Sequence, residues 1–180
     1  MPQHNDKPGR DAESSASDWS HLTESPSHIA LTWASDSEQG THGEPVYLRK
    51  QDIAYFRQLS GGGTYVAVRN QISRGLEFHT VREETADVHA QLGGTEASGM
   101  IEATLSSDDP RGGGLKMVFP LNAAYLVRPS RIKSNESVAY IRSVDENLKF
   151  TFRENVDRLF AMAGFARPRT AAEKRSNPRP

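Results

Sequence analysis

The sequence contains no cysteine. That absence removes disulfide staples, thiolate metal ligands and a cysteine nucleophile, and it favours a reducing, cytoplasmic setting. Long apolar runs are also missing. None approaches the roughly 18 residues of a membrane-spanning helix, so no membrane association is expected. The start, MPQHNDKPGR, has no apolar h-region, and no signal peptide is expected. Catalytic signatures are lacking too: there is no phosphate-binding loop, HExxH, GxSxG or dinucleotide fingerprint.

Apolar residues make up 36% of the 180 residues, and mean hydropathy is −0.65. Such a chain has too little apolar surface to fold end to end, so a compact middle between polar, disordered ends is expected. The net charge of −1 hides an uneven distribution. Residues 1–44 hold eight acids against two bases, whereas residues 166–180 hold five bases against one acid. An acidic head and a basic tail suit contact with nucleic acid or an acidic protein partner, or plain solubilisation.

The chain repeats itself. TVREETADVHAQLG, residues 80–93, returns as TFRENVDRLFAMAG, residues 151–164. Upstream, IALTWASDSEQG from Ile29 lies over IEATLSSDDPRG from Ile101, and TYVAVRN from Thr64 lies over SVAYIRS from Ser137. Three matches in one order predict an internal duplication of a unit of roughly 72 residues, too long and too few for a solenoid.

Each unit reads as four to five strands followed by one helix. HIALTWAS and GMIEATLS alternate apolar and polar residues, and PVYLR, KMVFPL, IAYFRQL, AAYLVR, GLEFHT and NLKFTF are short β-rich runs split by Gly, Asp and Ser turns. The repeated phrase predicts a capped helix. Thr80 with Glu83, and Thr151 with Glu154, fit a capping box, and Gly93 and Gly164 sit where a left-handed C-cap belongs. The expected fold is a β-rich α+β domain whose two units pack about a pseudo-two-fold axis. Its expected divisions are a disordered acidic segment (1–26), a first unit (27–94), a second unit (95–165) and a disordered basic tail (166–180).

Chemistry-bearing residues are few. His4, His21, His28 and His42 lie in or beside the polar head, His79 ends a strand, and His89, following Val88, is expected to face solvent. No HxH or HxxxH pair is present, so neither metal nor cofactor is expected, and no residue is assigned a catalytic role. The acidic pairs Asp36/Glu38 and Asp108/Asp109 match no calcium-loop pattern. The glycine triplets at 61–63 and 112–114 lead into strands rather than a helix N-terminus, which favours hairpin turns over phosphate loops.

The sheet faces are more suggestive. With Val66 and Val68 inward, Tyr65, Ala67 and Arg69 point away; with Ala139 and Ile141 inward, Val138, Tyr140 and Arg142 do. Aromatic and arginine side chains on an open sheet face can stack and clamp single-stranded nucleic acid. RPSRIKS adds Arg128, Arg131 and Lys133 beside the second of these strands, and the tail adds Arg167, Arg169, Lys174 and Arg175. The expected function is a non-enzymatic binding or assembly module, with nucleic acid as the first candidate ligand. The alternative is a protein-interaction or structural module, including a homo-oligomer, with no nucleic-acid role. An enzyme of unknown class is the lesser alternative.

The second unit, FPLNAAYLVR…VAYIRSVDENLKFTFRENVDRL, resembles the small flagellar FlbD-type proteins in its Asn-led strand, β-hairpin and helix start. It also resembles the first half of the LytTR DNA-binding domain. The likeness covers about 40 residues and carries over no functional residue, and the Arg/His-bearing strand that LytTR domains place after their helix is absent after Leu92.

Overall fold

The computed structural model describes residues 27–35, 40–142 and 147–169. The acidic segment 1–26, the pair Asp36/Glu38, and Lys174 and Arg175 lie outside the described residues.

The order of elements is β1 (His28–Thr32), β2 (Pro45–Arg49), a 3₁₀ turn (Lys50–Asp52), β3 (Ile53–Gln58), β4 (Thr64–Arg69), β5 (Leu76–Val81), α1 (Thr85–Gln91) and α2 (Gly94–Ser98). It continues with β6 (Met100–Thr104), β7 (Lys116–Pro120), a 3₁₀ turn (Leu121–Ala123), β8 (Ala124–Pro129), β9 (Ser137–Arg142), β10 (Asn147–Phe152) and α3 (Val156–Met162). The fold is α+β and β-rich.

All pairing is antiparallel within three sheets, β1-β2, β5-β4-β3-β7-β6 and β10-β9-β8. Single bridges extend the order. Trp33 pairs with Val81, so β1 abuts β5, and Leu105 pairs with Phe152, so β6 abuts β10. The two halves share further detail. A register shift falls at Ile53/Tyr55 in β3 and at Ala124/Leu126 in β8.

The halves join through β3 and β7, with Phe56 opposite Val118 and Arg57 opposite Met117. Packing about a two-fold axis would return the favour by placing β8 beside β2. Instead, among the described residues, β2 pairs with β1 alone and β8 with β9 alone. The hydrogen-bonded join is head to tail.

That join explains the burial of β3. Ile53, Ala54, Tyr55 and Phe56 are all buried in sequence, because one face packs on the first core and the other on the second. The same applies to β4. Val66 belongs to the first core, whereas Ala67 packs with Tyr55 and Phe150 in the second, so the expected outward Ala67 is buried. Val138 is buried as well, contrary to its expected exposure. Burying a Phe, Leu or Ile side chain is worth about 1.5–3 kcal/mol, so Phe56, Phe119, Phe150 and Phe152, all fully buried, are major contributors.

The repeated phrase is only half helical, and the expected capping boxes do not form. Val81 and Phe152 are fully buried strand residues, and the helices start four residues later, at Thr85 and Val156. The N-cap of α3 is Asn155, whose side chain accepts from the Arg158 N–H at 2.9 Å. Glu84 caps α1 without a side-chain bond. Helix registration yields here to the larger gain of burying Val81 and Phe152.

Freed from capping, the two glutamates do another job in matched geometry. Glu83 accepts from the Thr32 N–H at 3.0 Å, and Glu154 accepts from the Thr104 N–H at 2.9 and 3.1 Å. The carbonyls of Thr32 and Thr104 take the Arg82 and Arg153 N–H groups, each at 2.9 Å. The phrase therefore fastens the first strand of each half to its last. The predicted C-caps do form: Gly93 and Gly164 are left-handed, at φ 89° and 75°.

Candidate nucleic-acid interface

The β8-β9-β10 sheet turns one face to the core. Ala139, Ile141, Leu148, Phe150 and Phe152 are buried there, and strand alternation sends Tyr140 and Lys149 the other way. Tyr140 and Lys149 are direct cross-strand partners, and Arg128 lies opposite Val138.

On this outer face Arg128 donates to the Tyr140 hydroxyl at 3.1 Å, with its guanidinium carbon 5.7 Å from the ring centroid. The Tyr125 ring lies 6.2 Å from that of Tyr140. The Arg128 hydrogen bond holds the Tyr140 hydroxyl below its usual pKa against the opposing effect of desolvation, aided by the charges of Arg128, Lys149 and Arg131. That lowering registers a positive local field. A groove of about 320 Å³ beside it is lined by Arg128, Arg131 and Lys149 together with Asp108 and Glu136.

Lys133 is not part of that free positive charge. It pairs with Asp108 at 3.0 Å and Glu136 at 3.4 Å and donates to Ser107 Oγ at 3.0 Å. Its pKa is raised chiefly by the Asp108 hydrogen bond, and the Asp108 carboxyl is lowered in return. Buried Glu136 also accepts from Ser106 Oγ at 2.8 Å. These contacts pin the RPSRIKS loop to the loop after β6. Arg131 is exposed.

The Tyr/Arg run in the first half is arranged differently. Tyr65 stacks on Phe78 with centroids 5.3 Å apart, and Arg57 sits 4.7 Å from its centroid. Burial raises the Tyr65 hydroxyl pKa, opposed by the charges of Arg57 and Arg111. Tyr55 of the neighbouring β3 and Ala67 of Tyr65's own strand lie in the second core, so this face is a contact between halves rather than an open platform. Arg69 is exposed at the strand end, opposite Leu76. Tyr65 and Tyr140 lie in separate sheets.

Arg142 occupies β9 opposite Asn147. Arg167 pairs with Asp157 and shares a groove of about 610 Å³ with Arg128. Arg169 is exposed.

Sequence pattern alone does not single out Tyr125, Lys149 or Arg111. The facing of Lys149 can be read, since it alternates with Leu148 and Phe150. That of Arg111 cannot. Its guanidinium lies 4.2 Å from the Phe150 centroid and donates to the Lys149 carbonyl at 2.7 Å, contacts made from a distant loop. Asp109 is buried, accepting from the Thr151 N–H at 2.9 Å and pairing with Arg111 at 3.3 Å, which makes it a structural carboxylate.

No group of three or more metal-ligating side chains occurs among the described residues. His79 is buried edge-on to Trp33 at 5.1 Å, and its Nδ1 has no partner. His89, expected in solvent, is half-buried against Phe56 at 6.2 Å, because α1 turns that side toward the β3–β7 join. Both glycine triplets are turns. Gly62 and Gly63 close the β3–β4 hairpin at φ 91° and 76°, and Gly112 and Gly114 precede β7 at φ 124° and 84°. No described helix is long and apolar enough to cross a membrane.

Neither a scan against protein-family models nor searches of curated proteins and of solved structures found a match for this chain.

Proposed function

We propose that the chain is a non-enzymatic binding module built from two copies of one β-rich unit, and that it takes single-stranded nucleic acid on the outer face of β8-β9-β10. The duplication is supported by the matched element order, the matched register shifts and the matched glutamate fasteners Glu83 and Glu154. The nucleic-acid assignment rests on one observation: the Arg128–Tyr140 pair on an open face, with Lys149 and Arg131 supplying further positive charge. Arginine planes and tyrosine rings stack bases, while lysine and arginine neutralise phosphates.

The test is fluorescence anisotropy with labelled single- and double-stranded oligonucleotides across a salt series. Tyr140→Ala is expected to weaken binding by about 1–3 kcal/mol, the usual worth of one base–aromatic stack. Arg131→Ala is expected to reduce the salt slope by roughly 0.7, one phosphate contact on a single strand. Binding that is absent, or indifferent to salt, overturns the proposal. Removing residues 166–180 measures what the basic tail adds. A protein-interaction role is favoured by a different observation, the apolar edge of β8, which among the described residues pairs with β9 alone.

A further inference from the structure

We propose that β8 of one chain adds to β2 of a second copy, repeating between molecules the strand join that β3 and β7 make within one. The proposal rests on two edges, β2 and β8, that among the described residues each pair with one strand alone, and not on base stacking by Tyr140; the oligonucleotide assay and the crosslinking below read the two separately.

The halves correspond residue for residue across this join. Val127 and Arg128 of β8 occupy the places of Phe56 and Arg57 of β3, each 71 positions on. Tyr47 and Val46 of β2 likewise occupy the places of Val118 and Met117 of β7. What differs is burial. In the internal join Ala54, Tyr55 and Val118 are 2%, 3% and 0% exposed. Their counterparts Tyr125, Leu126 and Tyr47 are 49%, 42% and 45% exposed. Three large apolar side chains are thus about half-exposed at the positions their equivalents bury. Unpaired strand edges of this kind are templates for another strand.

The shape of the free edge agrees. Within the first half, Phe56 and Val88 are covered by Met100 and Val118, which arrive on the β6-β7 hairpin. Beside β8 the equivalent space is a groove of about 370 Å³ lined by Leu121, Ala124, Tyr125, Val127, Phe160 and Phe165. The β1-β2 hairpin is the counterpart of β6-β7, with His28 and Tyr47 in the places of Met100 and Val118, and only another chain's copy of it remains to be used. The same register sets Val127 opposite Tyr47 and Arg128 opposite Val46. It sets Pro129 opposite Pro45, where the internal join has Gln58 and Lys116, a position without a ladder pair. The prolines therefore cap the pairing at the length the internal join already has, and they block extension of the strand. Because the two edges differ, the contact is heterologous, and copies close into a ring or form an open array.

A chain without cysteine makes the test direct. Tyr47→Cys and Val127→Cys together place two thiols across the proposed pair, within the Cα separation that disulfides span. Oxidation of the full-length double variant is expected to give covalent dimers or larger species, as is a mixture of the two single variants, while neither single variant alone does so. Light scattering of the unmodified chain is expected to show at least a doubling of mass, lost in Tyr47→Lys and in Leu126→Lys, which change exposed side chains and leave the folded unit intact by circular dichroism. An intrachain disulfide means that one molecule closes its own edges, and it overturns the proposal. So does the absence of any disulfide. A full-length chain that stays monomeric and assembles only after removal of residues 166–180 also overturns it, by assigning the groove to the chain's own tail.

Discussion

The start of the second repeated helix can be tested by comparing three side chains within four residues of one another. If Thr151 were the cap, Thr151→Ala would remove the side-chain acceptor of a backbone N–H and cost about 1 kcal/mol, the typical worth of an N-cap. The structure instead puts Thr151 in β10, with its backbone N–H bound to Asp109, and gives the capping bond to Asn155. Asn155→Ala is therefore expected to cost about 1 kcal/mol, and Thr151→Ala no more than about 0.5 kcal/mol, the usual limit for a substitution away from such features. Glu154→Ala is expected to cost most, about 1.5–3 kcal/mol, because it strips a charged acceptor from the half-buried Thr104 N–H. Urea denaturation of the three variants measures this directly, provided the slope against denaturant is unchanged. Each kcal/mol corresponds to a melting shift of roughly 2–4 °C in a domain of this size. A Thr151→Ala loss of about 1 kcal/mol, with Asn155→Ala near neutral, would refute the strand assignment and restore the capping box.

Other expectations follow from single contacts. Burial holds His79 below its ordinary pKa, against the opposing charge of Glu77. The unfolded chain then binds the extra proton first, so stability is full above about pH 6.5 and declines as pH falls from there toward the folded-state pKa; His79→Gln should flatten that limb of a stability–pH curve, and an unchanged limb would remove His79 as its source. Gly63→Ala places a Cβ 2.4 Å from the Val81 carbonyl oxygen at φ +76° and is expected to cost at least about 2 kcal/mol in thermal or urea melts. The neighbouring Gly61→Ala meets nothing within 4 Å and should stay within about 0.5 kcal/mol of the parent.

Much of the architecture was readable from alternation and punctuation. Leu148, Phe150 and Phe152 alternate in β10, and the glycines at 62–63 and 112–114 mark turns, because those patterns need only local information. The helix start was misplaced because Thr-x-x-Glu satisfies a local rule, whereas the need to bury Phe152 against Phe119, at 5.1 Å, is set by a strand far along the chain. Ala67 is expected outward because alternation assumes one buried face, and β4 has two. Within the candidate interface, Tyr140 and Arg128 were legible as an aromatic and a cation on neighbouring strands. Lys133 carried the same sequence signal, yet Asp108 and Glu136 consume its charge. Tyr65 was legible too, but the second half closes on its sheet.

The covalent connection between the halves has a consequence of its own. Two folded units that met only by diffusion would form the β3–β7 join in proportion to their concentration. Here α2 and its flanking glycines tether them, and short tethers hold partners at effective concentrations in the millimolar range. The join is thus saturated at any cellular abundance, while contacts between separate molecules remain open to mass action. Under the proposed joining of copies, production level would set the degree of assembly without ever unmaking the folded unit itself.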